Sequence, residues 1–158
     1  MESRLSYPPM IRDLQCVPKS LTGYIKELNW VYVASNDKLF FWRVGLKEHW
    51  FPCLSIPHPI RKMQFVHFNE AIINGSYSRG LVVVTTQEVL LLAFPTTCQQ
   101  LEPSARIVDL KIVVPLDGEQ VIDVIGTISG RILLMMQSGE MQELMYTPTV
   151  ISFLLSHV

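Results

Sequence analysis

The side chains that most often bind metals or attack substrates are few in this chain and lie far apart. The histidines show neither the HxxxH nor the HExxH spacing that places two imidazoles on one helix face; they are His49, His58, His67 and His157. The three cysteines form no CxxC pair, which favours inert thiols in a reducing intracellular setting; they are Cys16, Cys53 and Cys98. We therefore expect no metal and no cofactor.

Acidic and glycine-rich segments give no stronger indication of catalysis. Asp117, Glu119 and Asp123 lie near one turn, but they lack the compact alternation of oxygen ligands that calcium requires. The segment 126–130 is flanked by glycines, yet it opens no helix and so does not predict a phosphate site. No GxSxG, Walker A or GxGxxG motif occurs. We expect a protein that is not an enzyme.

The composition excludes several other classes of protein. Thirteen basic residues against fourteen acidic ones give a net charge of −1 over 158 residues, so no overall field attracts nucleic acid. Hydrophobic residues make up 49% of the chain and charged residues 17%, so disorder is excluded and strands must be buried against something. No apolar run approaches the ~18 residues of a membrane-spanning helix. We expect no direct contact with nucleic acid.

Three stretches of the chain predict β-hairpins. Trp30–Val44 reads WVYVASNDKLFFWRV, in which two runs of β-forming residues surround turn-forming Ser-Asn-Asp. The pattern returns in Leu81–Phe94 and in Val121–Gln137, and an outer strand and a polar loop follow each hairpin. A repeat of ~40–50 residues with about four strands is typical of a β-propeller blade. A β-sandwich, which also joins short strands by frequent turns, is the structural alternative.

The predicted fold class is all-β, an incomplete β-propeller of about two and a half to three blades, whereas closed propellers have ~4–8 blades. Residues 1–29 form an N-terminal approach segment, short and irregular or helical, before strand character begins at Trp30; residues 30–146 form the partial propeller, and residues 147–158 an apolar tail. We expect the remaining blades to come from a longer chain or a partner. The residues predicted to build the hairpins and the packing between blades are Trp30, Phe41, Trp42, Leu91 and Leu133.

The ordered set of motifs resembles the start of the N-terminal β-propeller of the nucleoporin 155/170 family. It comprises the hairpin ending in Phe41-Trp42, the pair of strands GLVVVTTQEVLLLAF, and a meander matched at Gly130-Arg131-Ile132, Gly139, Glu143 and Tyr146. The resemblance implies a non-enzymatic scaffold of the inner ring of the nuclear pore complex, in the nuclear envelope, that supports nucleocytoplasmic transport. Its implied partners are other scaffold and linker nucleoporins of the inner ring. The family's long α-solenoid has no counterpart in this sequence.

The tail is the segment for which the resemblance implies peripheral contact with the pore membrane. Its apolar cluster is interspersed with serine and poor in charge, which favours insertion by hydrophobic area rather than by electrostatics; the residues are Val150, Ile151, Phe153, Leu154 and Leu155. The alternative for this segment is a strand that begins the next blade. The alternative for the whole chain is a generic β-propeller adaptor that binds peptides or partners in RNA processing.

Overall fold

Every regular element in the described part of the chain is a β-strand. The computed structural model describes residues 20–43, 54–69, 71–73, 77–95, 107–146 and 156–157. The chain divides into two compact units, Met1–Ile60 and Arg61–Val158. The first unit contains one four-stranded sheet, and the second contains two, apart from Ile60 at the start of one strand.

The first sheet is an antiparallel meander in which each strand pairs with the next along the chain. Its strands, in spatial order, are β1 (Leu21–Ile25), β2 (Trp30–Ser35), β3 (Lys38–Arg43) and β4 (Leu54–Ser55). The predicted hairpin is confirmed as β2 and β3, which pair from Trp30–Arg43 to Ser35–Lys38. Asn36 in its turn adopts a φ of 53°, a left-handed conformation that Asn tolerates better than most residues.

The first sheet begins earlier than the sequence predicted, because β1 precedes Trp30 within the expected approach segment. Gly23 lies inside β1 opposite Tyr32, and a Cβ atom at this position would overlap the Tyr32 ring. The glycine thus allows the Tyr32 ring to lie over the strand. The hairpin β2–β3 is consequently the central pair of its sheet, and the expectation that strands begin at Trp30 is wrong.

The second and third sheets repeat the same antiparallel meander. The second contains β5 (Ile60–His67), β6 (Tyr77–Thr85), β7 (Glu88–Pro95) and β8 (Val108–Pro115). The third contains β9 (Val121–Gly126), β10 (Ile132–Met136), β11 (Met141–Glu143) and β12 (Ser156–His157). The predicted hairpins at Leu81–Phe94 and Val121–Gln137 are confirmed as β6–β7 and β9–β10.

The hydrophobic core of the second unit lies between the second and third sheets. The second sheet contributes residues from β5 to β8, including Val66, Val82 and Leu91, and the third contributes Ile132 and Leu134. In β6 and β7 consecutive residues are buried, so these strands are covered on both faces, as their continuous apolar runs predicted. The two sheets therefore pack face to face through a continuous apolar layer.

Candidate functional site

The described residues contain no candidate metal centre. Among them, no group of three or more His, Cys, Asp or Glu side chains could hold a metal ion. Of the acidic cluster expected near one turn, Asp123 lies in β9 and forms an ion pair with Lys62. The polar groups that the structure brings together lie at the junction between the second and third sheets.

The second and third sheets are joined by hydrogen bonds of the Tyr146 hydroxyl to Gly130 and Asn69, which we call the latch. The Tyr146 hydroxyl donates a hydrogen bond to the carbonyl oxygen of Gly130 and accepts one, of 2.8 Å, from the amide of Asn69. Its ring packs against Phe68, with the ring centroids 5.5 Å apart. Burial raises the pKa of the Tyr146 phenol, so the hydroxyl stays protonated and can donate. One side chain thus joins the end of β5 to the turn between β9 and β10.

Gly130 is the residue that permits this close approach. Its φ is +87°, and a Cβ atom would lie well inside van der Waals distance of the Asn69 backbone. Only glycine satisfies both conditions without displacing the neighbouring chain, because other residues pay for a positive φ and their Cβ needs space. The turn therefore seats directly against the segment that follows β5.

The described residues of the second unit also form two ion pairs, one within the third sheet and one across the junction. Arg131 donates to both carboxylate oxygens of Glu143, at 2.8 and 2.6 Å, and these hydrogen bonds lower the pKa of Glu143. Lys62 in β5 lies 2.6 Å from Asp123 in β9 and also donates to the carbonyl of Ile122. The bond from Lys62 lowers the pKa of Asp123, assisted by the amide of Val124. Both carboxylates are thus held in the ionised form.

The outer face of the third sheet carries an apolar patch that we call the open face. Cross-strand pairs share one face of a sheet, and the apolar pairs here are Ile125–Leu133 and Met135–Met141. The carboxylates of Glu143, opposite Leu133, and Asp123, opposite Met135, border the patch on the same face. Ile125 is 40% exposed and Met141 36%, whereas Leu133 and Met135 are half-buried. On the opposite face of β10, Ile132, Leu134 and Met136 are buried in the core. Among the described residues, the apolar side chains of the open face are therefore more exposed than those of the opposite face.

The predicted packing residues occupy different environments. Trp30 and Phe41 are buried together in the first unit, with ring centroids 6.2 Å apart. Trp42 lies on the opposite face, half-buried beside Val33 and Phe40. Leu91 belongs to the core between the second and third sheets, whereas Leu133 lies on the open face. Their contribution to packing between blades remains a prediction.

The predicted membrane-contacting residues lie outside the described part of the chain. They are Val150, Ile151, Phe153, Leu154 and Leu155. The described residues before and after them belong to the third sheet. β11 ends at Glu143, and Ser156 of β12 pairs with Glu143. In the described residues, no helix has the length and apolar character needed to cross a membrane.

Four of the residues on which the resemblance rests are brought into contact in pairs by the structure. Gly130 and Tyr146 form the latch, and Arg131 and Glu143 form the bidentate ion pair. Sequence reasoning did not find Asn69 as their partner, nor the pairing of Lys62 with Asp123. Asn69 is separated from Tyr146 by 77 positions, and no local pattern encodes a contact of that range.

Three successive four-stranded meanders, two of which pack face to face, define a partial β-propeller. The solved structure of a complex between the Chaetomium thermophilum Nup170 NTD and Nup53 is similar, with a TM-score of 0.75 and 20% sequence identity. The likeness covers 94% of this chain and 22% of that chain, so this chain spans less than a quarter of the length of its structural neighbour. No protein-family model and no curated protein matches this chain.

The comparison confirms the predicted fold class, an all-β incomplete β-propeller. It also confirms, at the level of the fold, the predicted resemblance to the nucleoporin 155/170 type. At 20% identity the likeness concerns the fold alone.

Proposed function

We propose that this chain is a propeller segment of a scaffold nucleoporin of the nuclear pore inner ring. In this role it acts without catalysis, through contacts with other proteins at the nuclear envelope, and it supports nucleocytoplasmic transport. The observation that carries the proposal is the fold likeness to the Nup170 NTD over 94% of the chain. The polar contacts within the chain favour a structural role as well. Tyr146, Lys62 and Glu143 all bond to other residues of the protein and so stabilise its fold.

The open face is the feature through which such a segment would join a larger ring. Apolar side chains left in water forgo roughly 1.5–3 kcal/mol each relative to full burial. Ile125 and Met141 are exposed on a sheet whose other face already packs on a neighbouring sheet. We propose that a further blade, from a longer polypeptide or a partner, covers this face in the same way. The greater length of the structural neighbour is consistent with such an arrangement.

The proposed protein partners are scaffold and linker nucleoporins of the inner ring. The solved neighbour is a complex of the Nup170 NTD with Nup53, and a protein of the Nup53 type is the partner to test first. Purified chain and purified Nup53 should co-elute in size-exclusion chromatography. A fluorescently tagged chain should accumulate at the nuclear rim of cells. A chain that neither binds Nup53 nor reaches the rim contradicts the proposal and favours a propeller adaptor of another assembly.

Peripheral membrane contact by the tail is a second part of the proposal. The tail's apolar residues lie between β11 and β12 in the sequence. Liposome flotation with small vesicles tests this contact. Replacing Phe153 and Leu154 with Asp should abolish flotation; unchanged flotation would show that the tail does not bind lipid.

A further inference from the structure

The turn between β9 and β10 presents an isoleucine to solvent in a fixed conformation. Ile128 is 96% exposed, the highest value among the large hydrophobic side chains of the described residues. The hydroxyls of Thr127 and Ser129 bond to each other at 3.0 Å, and the Thr127 hydroxyl accepts the amide of Arg131 at 2.9 Å. The backbone closes the turn through bonds from Thr127 to Arg131 and from Gly130 to Thr127. The polar side chains beside Ile128 are therefore engaged within the turn.

The latch holds this turn against the rest of the second unit. Tyr146 binds the carbonyl of Gly130, and Gly130 lies against the backbone of Asn69. The tip therefore loses little conformational freedom when it binds something, which favours a preorganised contact. A single exposed hydrophobic residue needs no explanation by itself. Ile128 differs because hydrogen bonds fix the turn that exposes it.

Other apolar groups lie at the same end of the third sheet. β11 runs antiparallel to β10, and the amide of Leu144 bonds to the carbonyl of Ile132, next to the turn. Met145 follows and is exposed. The end of β11 and the start of β12 also lie at this end, since Glu143 pairs with both Leu133 and Ser156. The topology thus gathers these features at one end of the sheet.

We propose that Ile128 and Met145 form a lipid-inserting tip of the second unit. The tip residues 127–130 carry no charge, and the two hydroxyls beside Ile128 bond within the turn, so entry into the apolar boundary of a bilayer leaves few polar groups without partners. Arg131 stands at the base of the turn with its side chain exposed, a position suited to lipid headgroups. The inference deepens the membrane contact proposed above and rests on it, but it assigns a separate element.

The test compares two isoleucines of the same region in flotation with small vesicles of uncharged phosphatidylcholine. Ile128→Asp removes the tip, and Ile122→Asp is the matched control. Ile122 is 51% exposed and lies near the start of β9, at the opposite end of that strand. Ile128→Asp should lower the vesicle partition coefficient by at least about tenfold, because one inserted isoleucine is lost. Ile122→Asp should leave it unchanged, and circular dichroism should show both variants folded.

The tail variant distinguishes failure of this inference from failure of the proposed membrane contact. If Phe153→Asp with Leu154→Asp abolishes flotation while Ile128→Asp binds like the native chain, the tip does not insert and the inference is wrong. If the native chain does not float at all, both fail. If Ile128→Asp alone reduces flotation, the tip inserts and the tail does not contribute. Equal losses in Ile128→Asp and Ile122→Asp would also overturn the inference, because the effect would then be general.

Discussion

Tyr146 is the residue whose single hydroxyl joins two segments of the second unit. Tyr146→Phe keeps the ring on Phe68 but removes the bonds to Gly130 and Asn69. It leaves the amide of Asn69 without this acceptor, so we expect a loss of about 1–3 kcal/mol in the free energy of unfolding, measured by urea titration with circular dichroism. Tyr24→Phe is the control, since Tyr24 is exposed and its hydroxyl donates to the Asn29 side chain, five residues away, at 2.8 Å. Similar losses in both variants would show that the latch is not structural.

Alanine substitutions at Gly130 and Gly139 separate the effect of the close contact between Gly130 and Asn69 from the effect of backbone conformation. Gly130→Ala and Gly139→Ala both place a side chain at a positive φ, of 87° and 91°, in turns of the same sheet. At Gly139 nothing lies within 4 Å of the added Cβ, whereas at Gly130 it meets the Asn69 backbone. We expect a cost of about 1 kcal/mol for Gly139→Ala from backbone strain, and of about 3 kcal/mol or more for Gly130→Ala from strain plus overpacking. Equal costs would contradict a tight junction.

Glu143 should make the stability of the second unit depend on pH on the acid side. Its bonds to Arg131 lower its pKa in the folded state below the ordinary value of 4.5. The stabilisation is therefore fully present above the unfolded-state pKa and is lost as the pH falls through the lower, folded-state value. Glu143→Gln should flatten this part of the curve of unfolding free energy against pH, measured between roughly pH 2 and 6. If the native chain and the variant gave parallel curves, the Arg131–Glu143 pair would contribute nothing to the pH dependence of stability.

At the scale of elements, the hairpins were predictable because their signal is local. Leu81–Thr85 and Val89–Phe94 are continuous apolar runs around a polar turn, and both become buried central strands. β1 was missed because it contains Thr22 and Gly23 and is half exposed, so its sequence lacks an apolar run. What makes it a strand is its pairing with β2 and the Tyr32 ring over Gly23. The latch was missed for a related reason: it depends on contacts between distant segments.

Substitutions in the first sheet test which face of the β2–β3 hairpin contributes more to stability. Phe41 is fully buried and packs with Trp30 and Tyr32 at centroid distances of 6.2 and 6.4 Å, whereas Trp42 is half-buried on the other face. Phe41→Ala should therefore cost about 3–5 kcal/mol in unfolding free energy, and Trp42→Ala clearly less, although tryptophan is the larger side chain. Urea unfolding followed by circular dichroism measures both variants by the same signal. A larger loss in Trp42→Ala would reverse the assignment of faces.

At the scale of the whole molecule, the described strands carry more apolar side chains than the described structure buries. The contrast within the third sheet is direct: Ile132, Leu134 and Met136 are buried, while Ile125 and Met141 on the reverse side are exposed. This uncovered area should make the chain associate with itself, because burial of apolar surface is favourable and non-directional. Binding of a further blade would compete with that association. The same face thus predicts both a solution property of the chain and its place in a larger ring.

The test of the open face is the oligomeric state of the chain at increasing concentration. Sedimentation velocity should show concentration-dependent association of the native chain, and Ile125→Lys combined with Met141→Lys should shift it toward monomer, because charges on both sides of Leu133 and Met135 oppose burial of the patch. Ile122→Lys is the matched control, since Ile122 is exposed but is not part of the open face. Unfolding free energies should change by less than about 0.5 kcal/mol, because the replaced side chains are already exposed. A native chain that is monodisperse and monomeric throughout would show that the open face is not available for docking.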